Sequence, residues 1–369
     1  MRVTTQRRHD VIRAAATMAG ALLVLTACTS GSGSPGSDAS GSSSASGSSA
    51  ASAPYGCTVT ANSEGEVRDA LAAASAGSTV CVTGDGLRGA DLVVDVSGTP
   101  DRPVGVVGEG ATPVRSVTVT GDHVVVQGVA AVGGAGISLA GTGLVVRGNR
   151  VEKADLDGIS CDDLCPDAVI EDNTVVGADG SGILVMGDHA VVRGNSVSGS
   201  VRREASDADG IRFFGDSVEI RDNTVFDIKA TGYPAGTEPH TDCFQTFDDR
   251  RPPTVDAVIA DNVCRNVDAQ CLIATADEAM AQGKTGRSHG IEFTGNQCDI
   301  QGSQAVLIRG IPAVTVQGNT FAGPGLASAA VFREGSTDGR FVDNVVPDGV
   351  QQVEVDDASR DGFSGDGPN

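Results

Sequence analysis

The sequence contains no Trp, and its aromatic residues are 10 Phe and 2 Tyr. Single-strand nucleic-acid binders and dedicated sugar-binding modules both stack their ligands on aromatic faces, so this scarcity argues against both. Positive charge is also in short supply. Lys and Arg number 26 against 48 Asp and Glu, for a formal net charge of −22. Binding to a phosphate backbone depends on Lys and Arg, so no nucleic-acid partner is expected. Beyond residue 28 no apolar run is long enough to cross a bilayer. What the chain has in quantity is Gly, with 50 residues, and Val and Ile are scattered through its middle. With only 20% charged residues, disorder of the whole chain is excluded, and a regular architecture of small residues fits better.

Residues 1–28 read as an export signal. Arg2, Arg7, Arg8 and Arg13 form a basic start, and residues 14–27 are an apolar stretch too short to span a membrane comfortably. The stretch ends Leu25-Thr26-Ala27-Cys28, which resembles the lipobox of bacterial lipoproteins. That resemblance implies cleavage before Cys28 and lipidation of its thiol. An ordinary secretory signal with a chance Cys is the alternative. Residues 29–54 are almost entirely Ser, Gly and Ala and form a flexible linker. The expectation is an extracytoplasmic protein, lipid-anchored to the outer face of the cell membrane and working as a monomer.

An internal repeat decides the fold class. The pattern apolar-x-x-Asn-x-apolar recurs around Asn149, Asn173, Asn195, Asn223, Asn262, Asn296, Asn319 and Asn344. Its baseline period is about 22–25 residues, within the range of solenoid repeats. The intervals either side of Asn262 are longer. Apolar residues alternate around each Asn, the period of a strand with one buried face. Each Asn stands at a bend, where it tolerates unusual backbone angles and can bond its neighbours from coil to coil. A second strand follows in each unit, as at Gly182-Ile183, Gly210-Ile211, Cys243-Phe244 and Cys271-Leu272. Short strands, turns and small residues at a fixed period predict an all-β parallel β-helix solenoid over residues 55–350. Leucine-rich repeats are excluded by the lack of a Leu-x-x-Leu-x-Leu signature. Residues 351–369 read as a mobile acidic tail.

These repeats resemble the right-handed parallel β-helix family of pectate-lyase-like proteins. So does the entry segment, where Val67-Arg68-Asp69-Ala70-Leu71, Ala76-Gly77-Ser78-Thr79-Val80 and Ser97-Gly98-Thr99-Pro100 match a short cap helix, first strand and turn. The likeness covers about residues 57–350. It implies a fold, and it leaves the reaction open, since the family hosts lyases, hydrolases, epimerases and non-catalytic adhesins.

Nine Cys less the lipidated Cys28 leaves an even number, so disulfides are expected in an exported chain. Aligning the repeats puts Cys264 and Cys298 in one column and Cys243 and Cys271 in another. Stacked strands lie about 4.8 Å apart, within reach of a disulfide. The predicted pairs are therefore Cys243–Cys271 and Cys264–Cys298, with Cys57–Cys81 at the cap and Cys161–Cys165 closing a short loop. A metal site is the alternative, disfavoured because no His shares these columns.

Insertions in a solenoid build walls over a regular surface. Residues 198–208 and 226–241 lengthen one corner, and residues 248–253 and 275–288 lengthen the other. Both sets flank the second strands of the middle coils, where a groove is expected. Alternation sends Arg212 and Gln245 outward, followed by Phe214 and Phe247. Asp209 and Asp242 share one column just before these strands, with Asp157 two coils earlier. The insertions add Arg202, Arg203, Lys229, Tyr233 and His240. Arg202-Arg203 and Arg250-Arg251 read more readily as solvated loop charges.

This set suits an acidic polysaccharide as substrate or ligand. A lyase must neutralise a uronate carboxylate, remove the C5 proton and protonate the leaving oxygen. Arg212 with Lys229, or Ca²⁺ held by Asp209 and Asp242, would do the first. His240 or Lys229 would be the base, and Tyr233 or His240 the acid. A glycoside hydrolase would use Asp209 and Asp242 as acid and base. Gln245, Tyr233, Phe214, Phe247, Arg202 and Arg203 would contact the sugar. A non-catalytic β-helix that binds surface glycans or proteins is the other class. An Asp column at a turn can also be only a stabilising ladder.

Overall fold

A computed structural model describes residues 56–203, 207–282 and 286–366. The signal segment, Cys28 and the linker lie outside the described residues. The chain enters through Val59–Ala61 and a capping helix, Glu64–Ala72. Ser63 starts this helix by accepting the Glu66 N–H, and Glu66 reaches back to accept the Asn62 N–H at 2.9 Å. Val67 and Leu71 on its inner face join the hydrophobic core. From there short strands wind into a solenoid. Among the described residues they form one 20-stranded and one 12-stranded sheet. Pairing between strands is parallel throughout, for instance Ile183–Met186 on Ile211–Asp216 and Phe244–Phe247 on Leu272–Thr275.

The interior is filled by columns of like residues, as period-2 strands stacked in register require. Ile159, Ile183, Ile211, Phe244 and Leu272 lie in one column of the 12-stranded sheet. All five are fully buried. The Asn repeat is a continuous ladder. Each side-chain Nδ2 donates to the Oδ1 of the next Asn, from Asn149–Asn173 at 3.0 Å through Asn223–Asn262 at 3.0 Å to Asn319–Asn344 at 3.0 Å. Nδ2 also donates to a strand carbonyl, as from Asn262 to Ile220 O at 2.9 Å.

The unusual backbone angle expected at each Asn belongs to the residue before it. Gly148, Asp172, Gly194, Asp222, Asp261, Gly295, Gly318 and Asp343 all have φ between 55° and 65°. Left-handed backbone favours Gly, and Asp tolerates it through local hydrogen bonding. The sequence accordingly puts Gly or Asp at that corner and leaves the Asn amide free to bond along the axis.

Two features correct the expectations. The four disulfides include Cys57–Cys81 and Cys161–Cys165, but the others are Cys243–Cys264 and Cys271–Cys298. The columns themselves stand, since Cys264 is the register partner of Cys298 and Cys243 precedes a strand registered on that of Cys271. Side chains within one column project side by side, whereas Cys243 and Cys264 face each other across the interior of a coil, with Cα atoms 6.0 Å apart. The second correction concerns residues 351–369, expected to be a tail. Gln351–Val355 adds a strand to the 12-stranded sheet and Ser364–Gly365 one to the larger sheet. Val353 is buried there, so apolar alternation continues beneath the acidic composition.

Candidate functional site

Asp209 and Asp242 lie on adjacent coils immediately before the strands Ile211–Asp216 and Phe244–Phe247, and both are fully buried. Each braces the next coil: Asp209 Oδ1 accepts the Asp242 N–H at 3.2 Å, and Asp242 Oδ1 accepts the Gln270 N–H at 2.8 Å. Asp157 does the same earlier in the column for the Ser181 N–H at 2.5 Å. This much is a turn-stabilising ladder. Arg212 adds a charge to it, bonding Asp209 Oδ2 through Nη2 and Gln245 Oε1 through Nε at 2.7 Å. Asp207 stands 3.6 Å from the same guanidinium. Asp242 Oδ2 is buried and has no hydrogen-bond partner among the described residues.

Burial raises the Asp209 carboxyl to a pKa of about 6, against the pull of Arg212. Asp242 is driven well above the ordinary carboxylate range, first by burial and then by the charge of Asp209. The pair therefore resists carrying two negative charges, as two close carboxyls require. Calcium does not fit this donor set. Both oxygens of Asp209 are already engaged, a guanidinium adjoins them, and burial disfavours the charged form of Asp242.

A carboxyl whose folded pKa lies above the unfolded 3.8 binds protons more tightly in the folded state. Its contribution to stability is fully present below about pH 4 and is lost as pH rises towards the folded value. Asp242→Asn keeps an acceptor for Gln270 and cannot ionise. Its stability relative to the natural chain, measured by urea unfolding, should improve as pH rises above about 4, the unfolded carboxyl value. A difference independent of pH would contradict the raised pKa.

The other predicted residues take different places. Lys229 is turned away to a corner of its own, where Nζ donates to Asn266 Oδ1 at 2.6 Å and pairs with Asp268 at 3.0 Å. His240 is exposed, and its ring makes no hydrogen bond or ion pair among the described residues. Tyr233 accepts the Arg202 N–H at 2.8 Å, and Arg202 Nη1 donates to Thr237 O at 2.7 Å, so these two residues tie one insertion to the other. The Arg203 N–H donates to Asp179 Oδ1 at 2.6 Å, and its Nη2 donates to Ala154 O at 2.9 Å.

Phe214 and Phe247 do leave the core on the outer face, as alternation requires, but they are not open sugar platforms. Phe214 is fully buried in a separate outer cluster with Leu184 and Met186, and Phe247 packs edge-on at 5.2 Å. Arg251 covers both rings, its guanidinium carbon 5.2 Å and 5.1 Å from their centroids.

Beyond this cover lies an open cleft of about 830 Å³. Asp162, Asp163 and Leu164 form one wall, in the loop closed by Cys161–Cys165, and Met186 lies at the base. Asp249, Arg250, Arg251, Pro252 and Arg287 form the other wall. Buried Asp248 cements that wall, accepting from Ser288 Oγ at 2.6 Å and the Ser288 N–H at 3.1 Å. Arg287 Nη2 donates to the carbonyls of Asp249 and Arg251 at 3.1 and 2.8 Å. Arg250 is exposed and makes no ion pair or hydrogen bond among the described residues. Sequence reasoning treated Arg250-Arg251 as solvated and missed Arg287, Asp162 and Asp163. The available signal was positional: the Cys-x-x-x-Cys loop and the residues 248–253 insertion both follow second strands and so share one side of the solenoid.

Residues 110–225 and, overlapping them, 135–282 match the family model described as right handed beta helix region. No curated protein matches the chain. Among solved structures, pectate lyase Pel9A is 13% identical over 72% of this chain and 79% of that one, with a TM-score of 0.47. Alginate lyase from Paenibacillus sp. str. FPU-7 is 16% identical over 76% and 99%, also at 0.47. The A-module of Azotobacter vinelandii mannuronan C-5 epimerase AlgE4 is 14% identical over 82% and 94%, at 0.46. At these identities the likeness concerns the fold alone.

Proposed function

Given that the chain belongs to the right-handed β-helix family, we propose that it is a carbohydrate-active protein that takes an acidic, uronate-containing glycan in the cleft on the outer face of its 12-stranded sheet. The observation that carries this reading is the guanidinium wall of Arg250, Arg251 and Arg287 along an open cleft of about 830 Å³. Guanidinium groups recognise carboxylates through paired, charge-assisted hydrogen bonds. The chain is otherwise strongly acidic, so a local basic wall is a selective feature. Four disulfides support an oxidising, extracytoplasmic setting, to which anchoring through Cys28 would confine the domain.

Turnover as a lyase, hydrolase or epimerase is a second reading, favoured by Asp242. A buried carboxyl held well above the ordinary carboxylate range by burial, with one oxygen unpartnered among the described residues beside Arg212 and Asp209, has the character of a general acid. Asp242 is fully buried and does not line the cleft, so this reading requires that it become accessible to the sugar. A panel of acidic and neutral polysaccharides, followed by reducing ends and by the absorbance of unsaturated product, separates the readings. Turnover of an acidic polymer, abolished in Asp242→Asn with binding retained, supports the enzyme. Binding without turnover on any polymer leaves a glycan-binding β-helix. Absence of both would overturn the assignment.

A further inference from the structure

The cleft sets the adjacent acids Asp162 and Asp163 against Arg250, Arg251 and Arg287, with Asp249 on the arginine side ion-paired to Arg251. Asp162 and Asp163 are exposed, and neither makes a hydrogen bond or ion pair among the described residues. Arg250 faces the same space, equally unpaired among the described residues. No ion pair among those residues joins the two walls, so both keep their charge available to a ligand. A ligand bearing carboxylates alone would be drawn to the arginines and repelled by the opposing aspartates. An ammonium group placed towards Asp162 and Asp163 turns that repulsion into attraction. Beside Asp162 and Asp163, Leu164, 52% exposed, offers apolar surface for a sugar ring.

We propose that the cleft selects a glycan whose repeat carries both an anionic group and a free, unacylated amine, the anion set on the arginine wall and the amine on the Asp162–Asp163 wall. This inference rests on the reading of the cleft as a glycan site and names the chemical class of its ligand. The short disulfide-closed loop holds the acidic wall, so the spacing between the two charges is fixed by the fold.

Heparosan oligosaccharides, which alternate a uronate with an N-acetylated glucosamine, and their de-N-acetylated counterparts of equal length form the matched probes. Calorimetric titration of the natural chain at low salt should show the free-amine form binding at least about tenfold more tightly, the scale of one added charge-assisted contact. Asp162→Asn with Asp163→Asn should erase that preference while leaving the parent heparosan bound as well as before or better. Equal affinity for the two forms overturns the inference and leaves the acidic-glycan reading intact. A preference that survives in the double variant overturns it equally. If heparosan, its free-amine form and polygalacturonate all fail to bind, the cleft reading falls and this inference falls with it.

Discussion

Replacing Asn262 by Leu is expected to lower the unfolding free energy by about 3–6 kcal/mol, a large part of the stability of an ordinary domain. Asn262 stands in the middle of the ladder and is 1% exposed. Its Oδ1 accepts both the backbone N–H and the Nδ2 of Asn223, at 2.9 and 3.0 Å. Its Nδ2 donates to Ile220 O and to Asn296 Oδ1, each at 2.9 Å. A Leu side chain satisfies none of these. It leaves the Asn223 N–H and the Ile220 carbonyl buried without those partners, each costing about 1–3 kcal/mol. Asn344, at the end of the ladder and partly exposed, provides the comparison. There water replaces part of what is lost, and Asn344→Leu should cost about 1 kcal/mol. Urea unfolding of both variants measures the difference, and similar small losses at both positions would show that the ladder carries no special share of the stability.

Arg250→Ala is expected to weaken binding of polygalacturonate oligomers roughly 10- to 100-fold at low ionic strength. Arg250 is the guanidinium of the cleft with no commitment to the fold among the described residues. Arg251 is tied to Asp249 and lies over Phe214 and Phe247, and Arg287 holds two carbonyls of the wall. Removing either of those would disturb the wall as well as the ligand, whereas Arg250 reports on recognition alone. Arg250→Lys should fall between the natural chain and Arg250→Ala, because Lys keeps the charge but cannot present two parallel donors to a carboxylate. The affinity of the natural chain should also fall as salt is added, since the contact is near the surface. Unchanged affinity in Arg250→Ala would show that the arginine wall does not recognise the glycan.

The solenoid was legible because one residue type, Asn, recurs at one place in eight successive coils, from Asn149 to Asn344. A ladder tolerates few substitutes, as the paired donors and acceptors of Asn262 illustrate. Alternation along single strands was equally readable, and it put Arg212, Gln245, Phe214 and Phe247 on the outer face. What covers that face was not readable. Phe214 is buried because Arg251, 37 positions further on, folds back over it. The cysteine columns were found, but the partner of each lies across the coil interior, a relation that column alignment does not contain. The cleft is assembled from residues 162–164, 249–252 and 287, three separate corners. The last two are joined by the buried Asp248–Ser288 contact, which has no local signature in the sequence. The acidic composition of residues 351–369 concealed a strand whose Val353 is buried and whose Val355 packs on the core.

The recognition of negative charge by the cleft is tested most directly by comparing polygalacturonate oligomers with their methyl esters of the same length. Esterification removes the carboxylate charge and leaves the sugar backbone unchanged. Calorimetric titration should show saturable binding of the free acid and loss of at least about a hundredfold in affinity on full esterification, the effect of losing two or more charge-assisted contacts. Equal binding of acid and ester, or binding of neither, would contradict the account.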